Sequence, residues 1–276
     1  MNSNNRYWNQ ISMKSDYDTL EIVAAYLSHI SIGTVDKNLE RIFFFNADNI
    51  EDAKKIINEL DKKYSIEFSY KKIYDDDWHL KWKDNFVPIF IDNQVVIIPD
   101  WDNQAYDYKY VIKIKPGMSF GTGHHETTFL MIRELLKIKN VNNKNLLDLG
   151  TGSGILSIVA KKIGFYNVDA IENDEICRSD FFENLVLNSM NKKININFKD
   201  ALKLDNYSYD VILANIEKNI IMDLIPIIKN KGAKLILSGI LEEQMDEVKE
   251  QLSNQGFKNI VTLKRKEWVC IVSDYI

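Results

Sequence analysis

Cysteine is scarce. Only Cys177 and Cys270 occur, far apart and without metal-ligand spacing. That excludes a disulfide framework and a cysteine-built zinc site, and it fits a reduced cytosol with both thiols acting as small buried apolar residues. Long apolar runs are lacking too: none approaches the roughly 20 residues that span a bilayer, so no membrane association is expected. The start, MNSNNRYWNQ, has no apolar stretch of the secretory kind, and a first strand near Tyr7 leaves no room for a transit peptide. Positive charge is not in excess. The formal net charge is −5, which counts against a protein living on a phosphate backbone. The expectation is a cytoplasmic monomer with no direct nucleic-acid contact. No internal repeat or low-complexity stretch is visible.

What is present is an ordinary globular composition, 45% hydrophobic and 27% charged over 276 residues, long enough for two domains. Residues 7–73 read as β-α-β-β-α-β. A strand from Tyr7 to Met13 precedes a helix capped by Asp18, with Glu21 in capping-box position and an apolar stripe of Ile22, Val23, Tyr26, Leu27 and Ile30. Strands near 31–35 and 39–45 follow, then a helix over 50–62 with Ile50, Ala53, Ile57 and Leu60 on one face, then a strand over 66–73. The order predicts a small α+β ferredoxin-like domain. Residues 74–115 read as an interdomain linker with a small β segment. Trp78, Trp82 and Phe86 recur every fourth residue there, which suits packing at a seam. Asp92-Asn93 between VPIFI and QVVII signals a hairpin, and 108–114 reads as a third strand.

From residue 116 the third region, 116–276, carries the chemistry. Strands are expected at 145–149, 168–172, 196–198, 210–216 and 233–240, alternating with helices, which implies a mostly parallel sheet with helices on both faces. Two further strands, 260–265 and 268–273, are separated only by Lys266 and Glu267. No crossover helix fits that gap, so this pair is antiparallel. An α/β doubly wound, Rossmann-like sheet finished by an antiparallel hairpin is the architecture of class I methyltransferases.

The run NLLDLGTGSGILSIVA turns a buried strand through Gly150, Gly152 and Gly154 into a helix. Its spacing differs from the dinucleotide fingerprint G-x-G-x-x-G. Such a turn brings backbone close to a ligand, with a helix N-terminus aimed at a negative group such as the carboxylate of a methionine moiety. The reading is a nucleotide-derived cofactor, S-adenosyl-L-methionine; the plain alternative is a tight turn with no ligand. Glu172 ends the next strand, 22 residues beyond Gly150, and is placed to accept from ribose hydroxyls, unless it only caps a helix. Asp200 either approaches the adenine amino group or sits in a polar loop. Asn215, at the end of VILANI, faces the reacting groups or caps the next helix.

A second unusual segment, KPGMSFGTGHHETTFLMIREL, leads into an amphipathic helix. Thr127 and Thr128 can cap that helix, or the segment is a flap over the cofactor. His124 and His125 lack a wider histidine or cysteine cluster, so no metal site is assigned.

Taken in order, PGMSFGTGHHETT, DLGTGSGIL, the strand ending at Glu172, VILANI and LSGILEEQ resemble the motifs of the PrmA family, the methyltransferases of the bacterial large-subunit ribosomal protein number eleven. DDDWHLKWKDNFVPIFIDNQVVIIPDW is similar to that family's interdomain region. The departures are GHHETT where a threonine and a proline are usual, Thr151 for cysteine, and Glu172 for the commoner aspartate. The resemblance implies a first domain that recognises the ribosomal protein, trimethylation of α-amino and lysine ε-amino groups, and cofactor contacts at Thr128, Gly150, Glu172 and Asn215. No acid or base is assigned. The rivals are a lysine methyltransferase acting on another protein, an RNA methyltransferase, which the acidic charge disfavours, and a non-catalytic cofactor-binding assembly protein.

Overall fold

The computed structural model describes residues 7–27, 30–31, 33–37, 40–46, 49–64, 66–74, 86–116, 119–121 and 123–276. The chain divides into two units, Met1–Phe86 and Val87–Ile276. The segment 74–115, expected to connect two domains, straddles that division. Trp78 and Trp82 lie outside the described residues.

The first unit runs β1 (Tyr7–Lys14), α1 (Tyr17–Leu27), β2 (Gly33–Lys37), β3 (Glu40–Phe45), α2 (Ile50–Tyr64) and β4 (Glu67–Tyr74). Its sheet order is β2-β3-β1-β4, antiparallel throughout, which is the ferredoxin-like arrangement. Ile11, Met13, Phe43 and Phe45 alternate onto the face that buries Ile50, Ala53, Ile57 and Leu60 of α2, as the periodicity of α2 predicts. In α1 the buried stripe is Leu20, Val23 and Leu27, whereas Tyr26 is exposed. The helix also starts earlier than expected. Asp16, not Asp18, takes the cap: its carboxylate accepts from the Thr19 N–H at 2.9 Å and the Thr19 hydroxyl at 2.8 Å. A cap three residues before its donor satisfies an N–H that the helix itself leaves free.

The second unit opens with a small sheet, β5 (Ile89–Ile91), β6 (Val95–Pro99) and β7 (Tyr110–Ile114). Asp92 and Asn93 both take positive φ, 44° and 52°, and Gln94 N–H donates to Ile91 O at 3.0 Å, a hairpin turn whose hand matches strand twist. β6 and β7 are parallel. Then come α3 (Glu126–Lys137), β8 (Asn145–Leu149), α4 (Ile155–Ile163), β9 (Asn167–Glu172), α5 (Cys177–Leu187), β10 (Asn195–Phe198), β11 (Val211–Asn215), α6 (Lys218–Leu224), β12 (Lys234–Leu241), α7 (Met245–Asn254), β13 (Phe257–Arg265) and β14 (Trp268–Tyr275).

The main sheet has the order β10-β9-β8-β11-β12-β14-β13. Its first five strands are parallel, and the last two run antiparallel as the short Lys266-Glu267 gap requires. Strand order reverses between β8 and β11, and ligands of such sheets bind at the carboxyl ends there. Each face has its own core. Leu146, Val211 and Leu213 pack with α3, α4 and α5; Leu147, Leu149, Ile212 and Ala214 pack with α6 and α7. Near-continuous apolar strands result because both faces are covered.

One irregularity shapes the crevice. The pairing of β12 with β14 shifts between Leu237 and Ile240, and Gly239 there has φ +88°, with its absent Cβ 2.2 Å from where Ile216 O stands. The bulge lets β12 lie against the chain leaving β11. Gly239→Ala must push that backbone away and hold a strained φ, so it should destabilise the fold by about 2–5 kcal/mol. A wild-type urea midpoint for the variant would remove this account of the bulge.

Candidate functional site

The turn after β8 is built from backbone that no side chain could share. At Gly150, φ is +69° and an added Cβ would lie 2.3 Å from Ile216 Cγ2; at Gly152, φ is +53° and the clash would be with Phe120 O at 2.6 Å. Both N–H of Gly150 and of Thr151 donate to Ile171 O, at 2.9 and 3.0 Å, tying the turn to β9. The flap is stitched to the same turn: Ser153 N–H donates to Phe120 O at 3.0 Å, and Ser153 Oγ donates to Gly121 O at 2.6 Å.

Glu172 closes this arrangement. Its Oε2 accepts from Gly152 N–H at 2.8 Å. Its Oε1 accepts from Asn173 N–H at 2.8 Å and Asp174 N–H at 2.9 Å. The side chain lines the crevice.

Behind the turn lies a carboxylate that sequence reasoning passed over. Asp148 points to the α4 side of β8, fully buried, and its Oδ2 accepts from Thr151 Oγ1 and from Ser157 Oγ, both at 2.7 Å. Burial pushes its carboxyl up against the opposing pull of these two hydroxyls. Its Oδ1 has no partner. Asp148 thus ties the turn to the first turn of α4 through two side-chain hydroxyls. The signal was there: an acid inside the buried run NLLDL.

Asn215 ends β11 at the crevice. Its amide nitrogen donates to Thr128 Oγ1 at 3.4 Å, and its carbonyl oxygen is buried with no donor facing it. Asn215 does not cap α6, whose first turn follows Glu217. Thr128 is fully buried and stands behind Asn215 in α3. Thr127 and Thr128 do not cap α3 either. His125 does: its Nδ1 accepts from Thr127 N–H at 3.4 Å and lies 2.7 Å from Thr127 Oγ1. With Nδ1 taken, the ring proton of the neutral form sits on Nε2. Asp200 is spent locally, accepting from Leu202 N–H at 2.9 Å and pairing with Lys203.

Opposite the polar groups is an aromatic wall absent from the sequence-based site. His125 stands between Phe120, with ring centroids 5.1 Å apart, and Trp268, at 4.7 Å, both edge to face. Burial holds the His125 imidazole below its ordinary value, outweighing Glu126 and Glu267. The ring is therefore neutral at pH 7. Cys177, expected to be buried, is half-buried on the crevice lining, whereas Cys270 is fully buried. Among the described residues no group of three or more His, Cys, Asp or Glu could hold a metal ion. No helix among them is long and apolar enough to cross a membrane.

The crevice encloses about 590 Å³, within the range of small-molecule sites. It combines glycine backbone, an acid at the end of the second parallel strand, an orphaned amide acceptor and an aromatic wall. The sequence profile of the ribosomal protein L11 methyltransferase family (PrmA) matches residues 9–275. The chain belongs to that family.

A ribosomal protein L11 methyltransferase of Ruminiclostridium cellulolyticum is 36% identical over 244 residues, 83% of this chain and 77% of the relative. One from Dictyoglomus turgidum is 33% identical over 231 residues, 81% and 75% of the two chains. The crystal structure of a ribosomal protein L11 methylase from Lactobacillus delbrueckii subsp. bulgaricus superposes with a TM-score of 0.63 at 28% identity, covering 68% of this chain and 98% of that one. PrmA membership makes the chain a methyltransferase with a class I fold, and S-adenosyl-L-methionine its cofactor. The residues fit that group: the glycine turn leaves backbone bare at the crevice, and the Asn215 carbonyl lacks a donor, which an ammonium supplies.

The His125 reading is testable by NMR. A base whose folded pKa is lowered adds stability above its unfolded value of 6.5, and that stability is lost as pH falls through the folded value. The His125 Cε1–H resonance should titrate below pH 6.5, and a midpoint at or above that value would remove the buried, neutral ring from the wall.

Proposed function

We propose that this chain methylates amino groups of ribosomal protein L11, the α-amino group and lysine ε-amino groups, through to the trimethylated state. The observation that carries this reading is the unpartnered Asn215 carbonyl in a crevice lined also by bare glycine backbone and by aromatic rings. When bound, S-adenosyl-L-methionine supplies a methyl group on a positively charged sulfur, already activated for transfer to an amine lone pair. The chain's residues bind, orient and desolvate, so most of the rate enhancement is positioning.

In this reading Gly150 and Gly152 give the cofactor a surface without side chains, and Glu172 accepts from its ribose. Oε1 of Glu172 already uses both lone pairs on backbone N–H groups, whereas Oε2 has one to spare. One hydroxyl can thus bind without disturbing the turn. A second must take the place of Asn173 or Asp174 N–H. Asn215 offers its unpartnered carbonyl to an amine or ammonium, while its amide nitrogen rests on the Thr128 hydroxyl.

The amine must lose its proton. A lysine with a pKa of about 10.4 is nearly all ammonium at pH 7, an α-amine at about 7.7–8.0 much less so. The wall of Phe120, His125 and Trp268 disfavours the charged form by desolvation. His125 is a poor base, because Thr127 occupies Nδ1 and Nε2 carries the proton. Residues 1–73 are the unit we assign to recognition of the ribosomal protein, with 74–115 as connecting segment and 116–276 as the methyltransferase domain. The net charge of −5 and the nature of the substrate support a cytoplasmic, monomeric enzyme acting on protein without direct nucleic-acid contact.

Incubation with methyl-labelled cofactor and whole ribosomal protein, with and without ribonuclease, should place the label on L11 in both cases. Label on RNA or on another protein would overturn the assignment. Asn215→Ala should lower kcat/KM by about 10²–10³-fold, as loss of a positioned polar contact does; near-wild-type turnover would take Asn215 out of the mechanism. Glu172→Ala should weaken cofactor binding by about tenfold or more, given the worth of a hydrogen bond to a charged group. Calorimetry showing unchanged affinity would refute the ribose role.

A further inference from the structure

Trp268 is the first residue after a two-residue turn, and that turn is gripped by one carboxylate. Glu126, the first residue of α3, has a side chain only 12% exposed and pairs with both Arg265 and Lys266, the latter at 2.5 Å. Arg265 is the last residue of β13 and Lys266 the first of the turn. The Arg265 guanidinium also lies 3.6 Å over the ring of Phe129, one turn along α3. On the opposite side the turn is tied to the end of β12, where Glu242 N–H donates to Glu267 O at 2.8 Å and Glu242 pairs with Lys264.

Lys266 has φ +52°, a conformation that a side-chain-bearing residue keeps only where its surroundings over-determine it. Its ammonium meets Glu126, so the strained residue and the ion pair coincide. The residue before Glu126 is His125, and the residue two beyond Lys266 is Trp268. The two ion pairs therefore clamp together the two backbone segments whose neighbouring side chains make the edge-to-face contact at 4.7 Å. An acid is also favoured at this spot by the N-terminal end of α3.

We propose that Glu126 is a positioning residue for the methyl acceptor: through Arg265 and Lys266 it holds Trp268 against His125 and so keeps the aromatic wall of the crevice closed. The acceptor role rests on the reading of the crevice as a methyl-transfer site; the clamp itself does not. Glu126 is not expected to touch the cofactor, whose proposed contacts lie on the glycine turn, β9 and β11. Removing its charge should therefore alter acceptor binding and leave cofactor binding as it was. The partners Arg265 and Lys266 are 42% and 69% exposed, so high salt should loosen the same clamp.

The test uses the full chain labelled with 5-fluorotryptophan, the Trp268 fluorine resonance being assigned by its disappearance in Trp268→Phe. In Glu126→Gln that resonance should move or broaden while the others stay, and salt at about 1 M should carry the wild-type resonance towards the variant's position. The KM for L11 should rise about tenfold with kcat changed less than about threefold, as for lost ground-state positioning. The cofactor Kd by calorimetry should stay within about twofold. Glu126→Asp, which keeps the charge, should recover part of the KM. The double variant Arg265→Gln, Lys266→Gly, which leaves α3 intact, should reproduce the fluorine shift and serves if Glu126→Gln does not fold. Glu243→Gln, an exposed acid on the turn after β12, is the control and should change nothing.

A Trp268 resonance that superimposes on wild type in Glu126→Gln, an unchanged KM, or an equal loss of cofactor affinity would each overturn the proposal. Failure of the methyl-transfer reading looks different. The wild-type chain would then bind no S-adenosyl-L-methionine while the fluorine shift in Glu126→Gln persisted, and the acceptor role would fall with that reading.

Discussion

Three backbone N–H groups from two loops converge on the Glu172 carboxylate, and the shape of the crevice follows from that convergence. Gly152 donates from the turn after β8, and Asn173 and Asp174 donate from the end of β9. A turn with φ +53° aims its N–H away from the ladder, where no strand can accept it. The Glu172 side chain there satisfies the orphan and ties the turn after β8 to the end of β9. The flap depends on the same brace, because Phe120 O lies against bare Gly152 and accepts from Ser153. Glycine turn, flap and the Glu172 carboxylate are thus one mechanical unit rather than three separate features.

Behind that unit the core is not apolar where it might have been. Asp148 occupies a position on β8 whose neighbours on the same face, such as Leu146, belong to the hydrophobic core between the sheet and α4. Burying a carboxyl there is costly unless hydrogen bonds hold it. Thr151 and Ser157 provide two, one from the turn and one from the helix, so the acid joins the elements on either side of the glycines. Burial raises its affinity for a proton, while Oδ1 lacks a partner. The return on this arrangement is specificity of backbone geometry: apolar contact is non-directional, whereas two short hydroxyl bonds fix where Thr151 and the first turn of α4 must be.

Much of the sheet was legible because its parallel strands are buried on both faces and read as apolar runs, Asn145–Leu149 being recovered to the residue. Glu172 and Asn215 could be placed on the crevice lining because each sits at a strand end of the alternating repeat. The helix starts were harder. At α1 and α3 a plausible cap lay within two residues of the observed one, and Asp16 and His125 take the caps through bonds from Thr19 and Thr127. Thr128 lies one layer behind the crevice lining, buried with its hydroxyl on Asn215. Trp268 gave no signal in any local window, because an antiparallel hairpin more than a hundred residues downstream returns it to the flap. Asp148 was masked by the strand pattern that made β8 easy to recognise. What local periodicity cannot show is which distant segments meet, and Trp268 joins His125 in the aromatic wall only by such a meeting.

The division of labour along the crevice follows from charge. Its lining includes the carboxylates of Glu172, Asp174 and Glu217 and, among the described residues, no lysine or arginine, with His125 neutral. Such a lining concentrates cations, which suits a cofactor bearing a sulfonium and, on the proposed reading, an acceptor that arrives as ammonium. The same potential opposes loss of the acceptor's proton, so an acidic crevice alone would bind substrate well and methylate it poorly. An apolar wall acts in the other direction, since desolvation favours the neutral amine. The acids stand at the ends of β9 and β11 and the aromatic rings on the flap and hairpin, so the two demands fall to different residues. Phe120 and His125 of the flap meet Trp268 of the C-terminal hairpin only when segments more than a hundred residues apart come together, so the packing of those three rings is the part of the site most sensitive to how the chain is folded.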